Sequence, residues 1–166
     1  MITFNGISES LLGGGIAIGI LIFILVLAFI IVVPFVVFEL LGRYKLFKKM
    51  GKEGWEAIIP FYSSYTLCEI SGLDTYWFIL MVAPTLISIG AQFVEALSIF
   101  SFIGNIAVIL ANVAVAYNLR IKFNKDNTWV VLAALFSGII IPYMGFNSDQ
   151  PDMNAEVSKD AFFQKK

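Results

Sequence analysis

The chain has 166 residues, of which 59% are apolar and only 14% charged, with 16 phenylalanines and a net charge of −1. Soluble domains run about 45–50% apolar and about 25% charged, so this chain in water would expose large hydrophobic patches, and lipid is the solvent that fits. The charge balance argues against a nucleic-acid binder, which needs a basic surplus to neutralise phosphates. The lack of histidine removes the commonest general base and transition-metal ligand, and the single Cys68 cannot build a disulfide framework or a cysteine zinc site. No cofactor or metal is expected.

In chain order, residues 1–13 read as an extracytoplasmic N-terminus, followed by a membrane domain over 14–146. A hydrocarbon core of about 30 Å needs about 20 residues of helix, with a range of about 17–25. Four segments meet that length: 14–38, 76–93, 99–117 and 129–146. The predicted fold is therefore all-α, a polytopic bundle of four transmembrane helices. The first segment lacks the basic leader and short apolar stretch of a signal peptide, and reads as a retained helix. Pro34 and Pro84 should mark kinks, and Trp77, Trp129, Tyr76, Tyr117 and Tyr143 fall at span ends, where amphipathic rings favour the interface.

The loop between the first two segments carries Arg43, Lys45, Lys48, Lys49 and Lys52, and the loop between the last two carries Arg120, Lys122 and Lys125, together eight of the 11 basic residues. Basic loops stay in the cytoplasm. With four crossings, both termini of a multi-pass cell-membrane protein should then lie outside. The five cations of the first loop are also candidates for contact with anionic lipid, each contributing about 1 kcal/mol near a charged surface.

Residues 39–75 are too long for a simple connection. Leu40, Tyr44 and Phe47 continue the first helix, with Gly51 placed to cap it. Trp55, Ile58, Ile59 and Tyr62 then fall on one helical face, and Pro60 suits the first turn of a second short helix ending near Gly72. Glu56 and Glu69 discourage a further crossing. The prediction is an amphipathic helix, break, helix element in the cytoplasmic interface, with Trp55, Ile58, Ile59, Pro60, Tyr62 and Tyr65 at headgroup depth.

These residues also carry a likeness. Gly51, Gly54, Trp55, Ala57, Ile58, Ile59, Pro60, Tyr62, Tyr65 and Leu67, followed by Tyr76 and Trp77 and by Pro142, Gly145 and Phe146, resemble a family of small bacterial integral membrane proteins known only as a domain of unknown function. The resemblance runs from about Leu40 to Phe146. Ser63 stands where asparagine is usual, and a proline expected shortly before Asn105 is absent. The resemblance implies a bacterial inner-membrane protein and no settled activity. Some members bear a signal-peptidase label, but that chemistry needs a serine and a lysine base paired on the outer face, whereas Ser63, Ser64 and the clustered lysines are expected inside. An intramembrane aspartyl protease needs two aspartates within spans, and every Asp here lies in a loop or the tail.

The intramembrane polar candidates are Ser88, Gln92 and Glu95, a stripe at the end of the second segment, and Asn105 and Asn112, which share a face of the third. Such groups are candidates for ion or solute binding, with a hydrated helix end and amide-assisted helix packing as the favoured alternatives. Gly15 and Gly19 form a close-approach pair suited to packing within the chain or between two copies. Residues 147–166, acidic and poor in aliphatics, read as a solvated, disordered tail. The functional expectation is a non-enzymatic membrane protein whose partners are the lipid bilayer and either a second copy, as a homo-oligomer, or a larger membrane complex. A small transporter or channel is the alternative, and a membrane protease comes third.

Overall fold

The computed structural model describes residues 4–93 and 98–159. Among these the chain is all-helical: α1 (Phe4–Lys49), a 3₁₀ turn (Gly54–Ala57), α2 (Tyr62–Ser71), α3 (Thr75–Gly90), α4 (Ser98–Lys122) and α5 (Thr128–Phe146). Three helical segments are long and apolar enough to cross a membrane, Gly15–Lys49, Phe100–Lys122 and Thr128–Phe146. Helix α3 is equally apolar but shorter, at 16 residues.

Two units make up the chain, Met1–Phe38 and Glu39–Lys166. In the first, α1 presents Ile16 to Val37 as an exposed apolar surface on all sides, as expected of a helix solvated by acyl chains. Its Gly15 and Gly19 have open space where a side chain would lie.

In the second unit α3 and α4 pack as an antiparallel pair. Pro84 of α3 sits against Gly104 of α4, where an added Cβ would lie 2.7 Å from the proline Cβ. Ala111, Ala114 and Val115 make α4 thin enough for close packing, and they join Leu46, Phe47, Leu67, Trp77, Met81, Leu119 and Ile141 in one core. The far half of α4 presents Phe102, Ile103 and Ile106 outward. The core thus gathers at the end where α1 stops, α4 stops and α3 begins. Helix α3 ends at Gly90, short of the expected Phe93, because residues 91–93 turn, with the Phe93 N–H donating to the Gly90 carbonyl at 3.0 Å. Helix α4 runs beyond the expected Tyr117 to Lys122.

Two glycine caps set the cap region. Gly51 takes φ +75°, the Lys52 N–H reaches back to Phe47 at 2.9 Å and the Gly51 N–H to Lys48 at 3.2 Å, the paired bonds that close a helix end. Gly72, at φ +76°, closes α2 in the same way through Leu73 to Cys68 and Gly72 to Glu69.

Helix α5 is long and apolar enough to cross a membrane, but it is not straight. Phe136 has φ −135° and ψ 50°, outside the helical region, and the helix breaks there. Trp129 and Tyr143 would be about 21 Å apart along a straight helix. Instead their rings stack with centroids 5.9 Å apart. The two halves of α5 therefore fold back on each other, with Leu135 and Phe136 exposed at the tip. The returning half lies against the end of α1, where Pro142 and Gly145 meet Gly42.

The segment after α5 meets the helices at several points as far as Lys159. The Asp152 N–H donates to the Lys122 carbonyl at 2.7 Å, and the Ser158 carbonyl accepts from Asn118 Nδ2 at 2.7 Å. Val157 fills the space left by the missing side chain of Gly72, and Asp149 pairs with Lys125. Much of this strap is held through backbone groups, which every residue carries. It also lies at the basic end, beside Lys122 and Lys125.

Candidate membrane-interface site

The segment from Trp55 to Tyr65 presents the expected aromatic face, but a single helix does not build it. Trp55 lies in the 3₁₀ turn, Ile58 to Phe61 form an irregular link, and Tyr62 opens α2. The link is tight: Phe61 has φ 65° and ψ −46°, and the Tyr62 N–H donates to the Pro60 carbonyl two residues back at 2.7 Å. Such a three-residue turn at positive φ is strained for a residue with a side chain. It brings Trp55 and Tyr62 into a stack 5.7 Å apart with planes 7° from parallel. Tyr65 follows at 6.0 Å, then Phe78 of α3 edge-on at 5.7 Å. Trp55 is 50% exposed and Ile58 61%, and Ile59, Phe61, Tyr62 and Tyr65 are exposed beside them. Ile79 of the apolar helix α3, next to Phe78, is exposed as well.

The inner side of the same element is polar and satisfied. Glu56 is buried and accepts the Thr66 hydroxyl at 2.7 Å, pinning the 3₁₀ turn to α2, a role the sequence did not announce. Cys68 packs beneath, with Sγ 3.9 Å from Met81 Sδ, and burial pushes its thiol up to about 11.

The five loop cations have diverged. Arg43 Nη2 binds Glu39 at 2.6 Å, and Nη1 points to Ser63 Oγ at 3.4 Å. Lys49 is drawn into the α1–α5 junction, where it donates to the carbonyls of Met144 at 3.0 Å, Asn147, and Asp149 at 3.3 Å. Lys52 pairs with Glu69, whose hydrogen bond holds the ammonium pKa above its usual value. Three of the five expected lipid contacts therefore have protein partners. Lys45 lies over the Phe146 ring at 4.5 Å and Lys48 over Tyr44 at 5.2 Å, so these two pair with rings.

Of the intramembrane candidates, Asn112 Nδ2 donates to the Val108 carbonyl of its own helix at 2.9 Å, whereas Asn105 is exposed. Ser88 is half-buried near the end of α3, Gln92 is exposed beyond it, and Glu95 lies outside the described residues. Among the described residues no three His, Cys, Asp or Glu side chains could share a metal ion. Sequence reasoning passed over Asn118, fully buried and holding the strap, and the Gly42–Gly145 contact. The glycine and proline of the closing Pro142 to Phe146 motif were visible; their partner was not.

A family model described as "Family of unknown function (DUF5684)" matches residues 55–151, well over half of the chain. The chain belongs to that family. The match opens at Trp55, the first ring of the aromatic ladder, and closes within the strap, so it spans the aromatic element, α2 to α5 and the first part of the strap. Comparison with curated proteins and with solved structures gave no match.

Proposed function

We propose that this protein is a non-enzymatic integral membrane protein that works by association, with a second copy or within a larger membrane complex, through its aromatic and basic end. The exposed rings of Trp55, Tyr62 and Tyr65, anchored edge-on to the half-buried Phe78, carry the reading: aromatic rings held in contact with one another make a preorganised surface, and aromatic side chains dominate the energetics of such surfaces. Local engagement of the polar groups supports it too. Asn112 is bonded within its helix, and Ser63 faces Arg43 where a serine–lysine hydrolase would need a lysine base.

In this reading the basic end faces the cytoplasm. Helices α1, α3 and α4 cross, α5 enters and returns, and the N-terminus lies outside with the strap inside. The test is a photoreactive residue at Ile59 in native membranes. A cross-link to a second copy, or to one protein at constant stoichiometry, is expected; adducts with lipid alone would overturn the association. The broken helix α5 packed on α4 favours a second reading, a small transporter, because discontinuous helices build transport sites. Solute flux in liposomes that Asn112→Leu abolishes would establish that reading in place of the first.

A further inference from the structure

A cleft of about 310 Å³ opens beside the aromatic ladder, lined by Glu39, Arg43, Pro60, Phe61, Ser63 and Ser64 among others. Its volume lies at the lower end of small-ligand sites. Two opposite charges face it in a fixed arrangement: Arg43 and Glu39 are one helical turn apart on α1 and bonded at 2.6 Å. The guanidinium is incompletely satisfied, since Nε is enclosed without a partner and the contact to Ser63 Oγ is long at 3.4 Å. Ser63 and Ser64, which follow the strained turn at Phe61, line it as well, Ser63 next to Arg43. Ile58, Pro60 and Phe61 supply an apolar side continuous with the exposed ladder.

Position along the chain identifies the surroundings. The uncharged run ends at Phe38, and Arg43 follows five residues later, about 7.5 Å of helix rise. The headgroup layer extends about 5–7 Å beyond the hydrocarbon on each side, so this pair falls at the depth of lipid phosphates.

We propose that the cleft binds the headgroup of a phospholipid bearing a primary amine, a phosphoethanolamine lipid, with the phosphate on Arg43 and the serines and the ammonium on Glu39. Charge decides the class. A site containing one arginine and one glutamate is neutral, which matches a zwitterion and disfavours an anionic lipid, whose phosphate would meet the carboxylate without compensation. A primary ammonium donates hydrogen bonds to Glu39, whereas the trimethylated nitrogen of a choline headgroup has none to give. The apolar wall beside the cleft takes the proximal part of an acyl chain, which selects the lipid over the free headgroup. The proposal rests on the membrane reading and is independent of the association.

The test is native mass spectrometry of the detergent-purified full chain with phosphatidylethanolamine, phosphatidylcholine and phosphatidylglycerol of identical acyl chains. The wild type retains the ethanolamine lipid in preference to the other two by roughly ten-fold, the equivalent of one charge-assisted hydrogen bond. Glu39→Gln removes that preference, and Arg43→Gln lowers retention of all three. Ser64→Ala, at a position outside the core, removes one donor to the phosphate, lowers retention of all three lipids, and serves if the Arg43 variant fails to fold by circular dichroism. Equal retention of the three lipids by the wild type, a preference for the glycerol lipid, or an ethanolamine preference that survives Glu39→Gln would each overturn the site. Soluble phosphoethanolamine at matched concentration should not displace the lipid; displacement would overturn the lipid as ligand. Failure here leaves the cross-linking result at Ile59 standing, so the two readings fail separately.

Discussion

Replacing Gly145 by alanine tests the hairpin geometry of α5 most directly. An added Cβ would lie 2.9 Å from the Gly42 carbonyl carbon and 2.9 Å from the Leu46 nitrogen, and closer still to the Gly42 oxygen. Non-bonded heavy atoms are comfortable at about 3.5–4.0 Å, so α1 and the returning half of α5 must part by roughly 1 Å. Every atom in the way is backbone, and no rotamer change relieves the clash. Overpacking of this kind costs about 1–3 kcal/mol, and backbone obstacles put the expected loss near the top of that range. At about 2–4 °C per kcal/mol for a chain of this size, the unfolding midpoint in detergent should fall by roughly 6–12 °C, measured by intrinsic fluorescence. Gly19→Ala is the matched control: nothing lies within 4 Å of its added Cβ, and alanine is favoured over glycine in a helix by about 1 kcal/mol, so that variant should be unchanged or slightly more stable. Equal midpoints for the two variants would refute the contact between α5 and α1, and with it the return of α5.

Four further outcomes follow from the same geometry. In a Cys68→Ala background, single cysteines at Asn124 and Met153 should label from the same side of the membrane in intact cells and after lysis; opposite behaviour would mean that α5 crosses. Cys68 should resist alkylation at neutral pH and react with a midpoint near pH 11, because burial disfavours the thiolate; the unfolded chain loses that proton at lower pH, so the same group favours unfolding as the solution becomes alkaline above the ordinary thiol range. Asn118→Leu removes the donor to the Ser158 carbonyl, at a cost of about 1 kcal/mol, and should accelerate cleavage after Glu156 by a glutamate-specific protease, whereas an unchanged rate would mean that this bond does not hold the strap. Trp55 fluorescence should respond strongly to a quencher at headgroup depth and weakly to an aqueous one; the reverse would place the aromatic ladder in water.

Lipid as solvent, the apolar run of α1 and its end before Gly51, and the grouping of cations at one end are all consequences of residue type along the chain, and they were legible from the sequence; the start of α1 at Phe4, ten residues before the expected one, was not. Gly51 and Gly72 were legible as well, because a helix stop at positive φ is a local event that needs only the glycine. The path of α5 was not. Hydropathy is the same whether an apolar segment crosses or returns, and the one local sign, the Ser137–Gly138 pair just after Phe136, marks a kink without giving its angle. The angle is decided by packing: Trp129 stacks on Tyr143, and Gly145 admits the backbone of Gly42. The strap is decided in the same way, through carbonyl and amide groups that composition does not register. At the candidate site the sequence supplied Arg43, Ser63 and the aromatic residues. Only the tertiary structure turned a row of cations into one arginine paired with one glutamate beside a cleft, because which charges find partners depends on which helix ends meet.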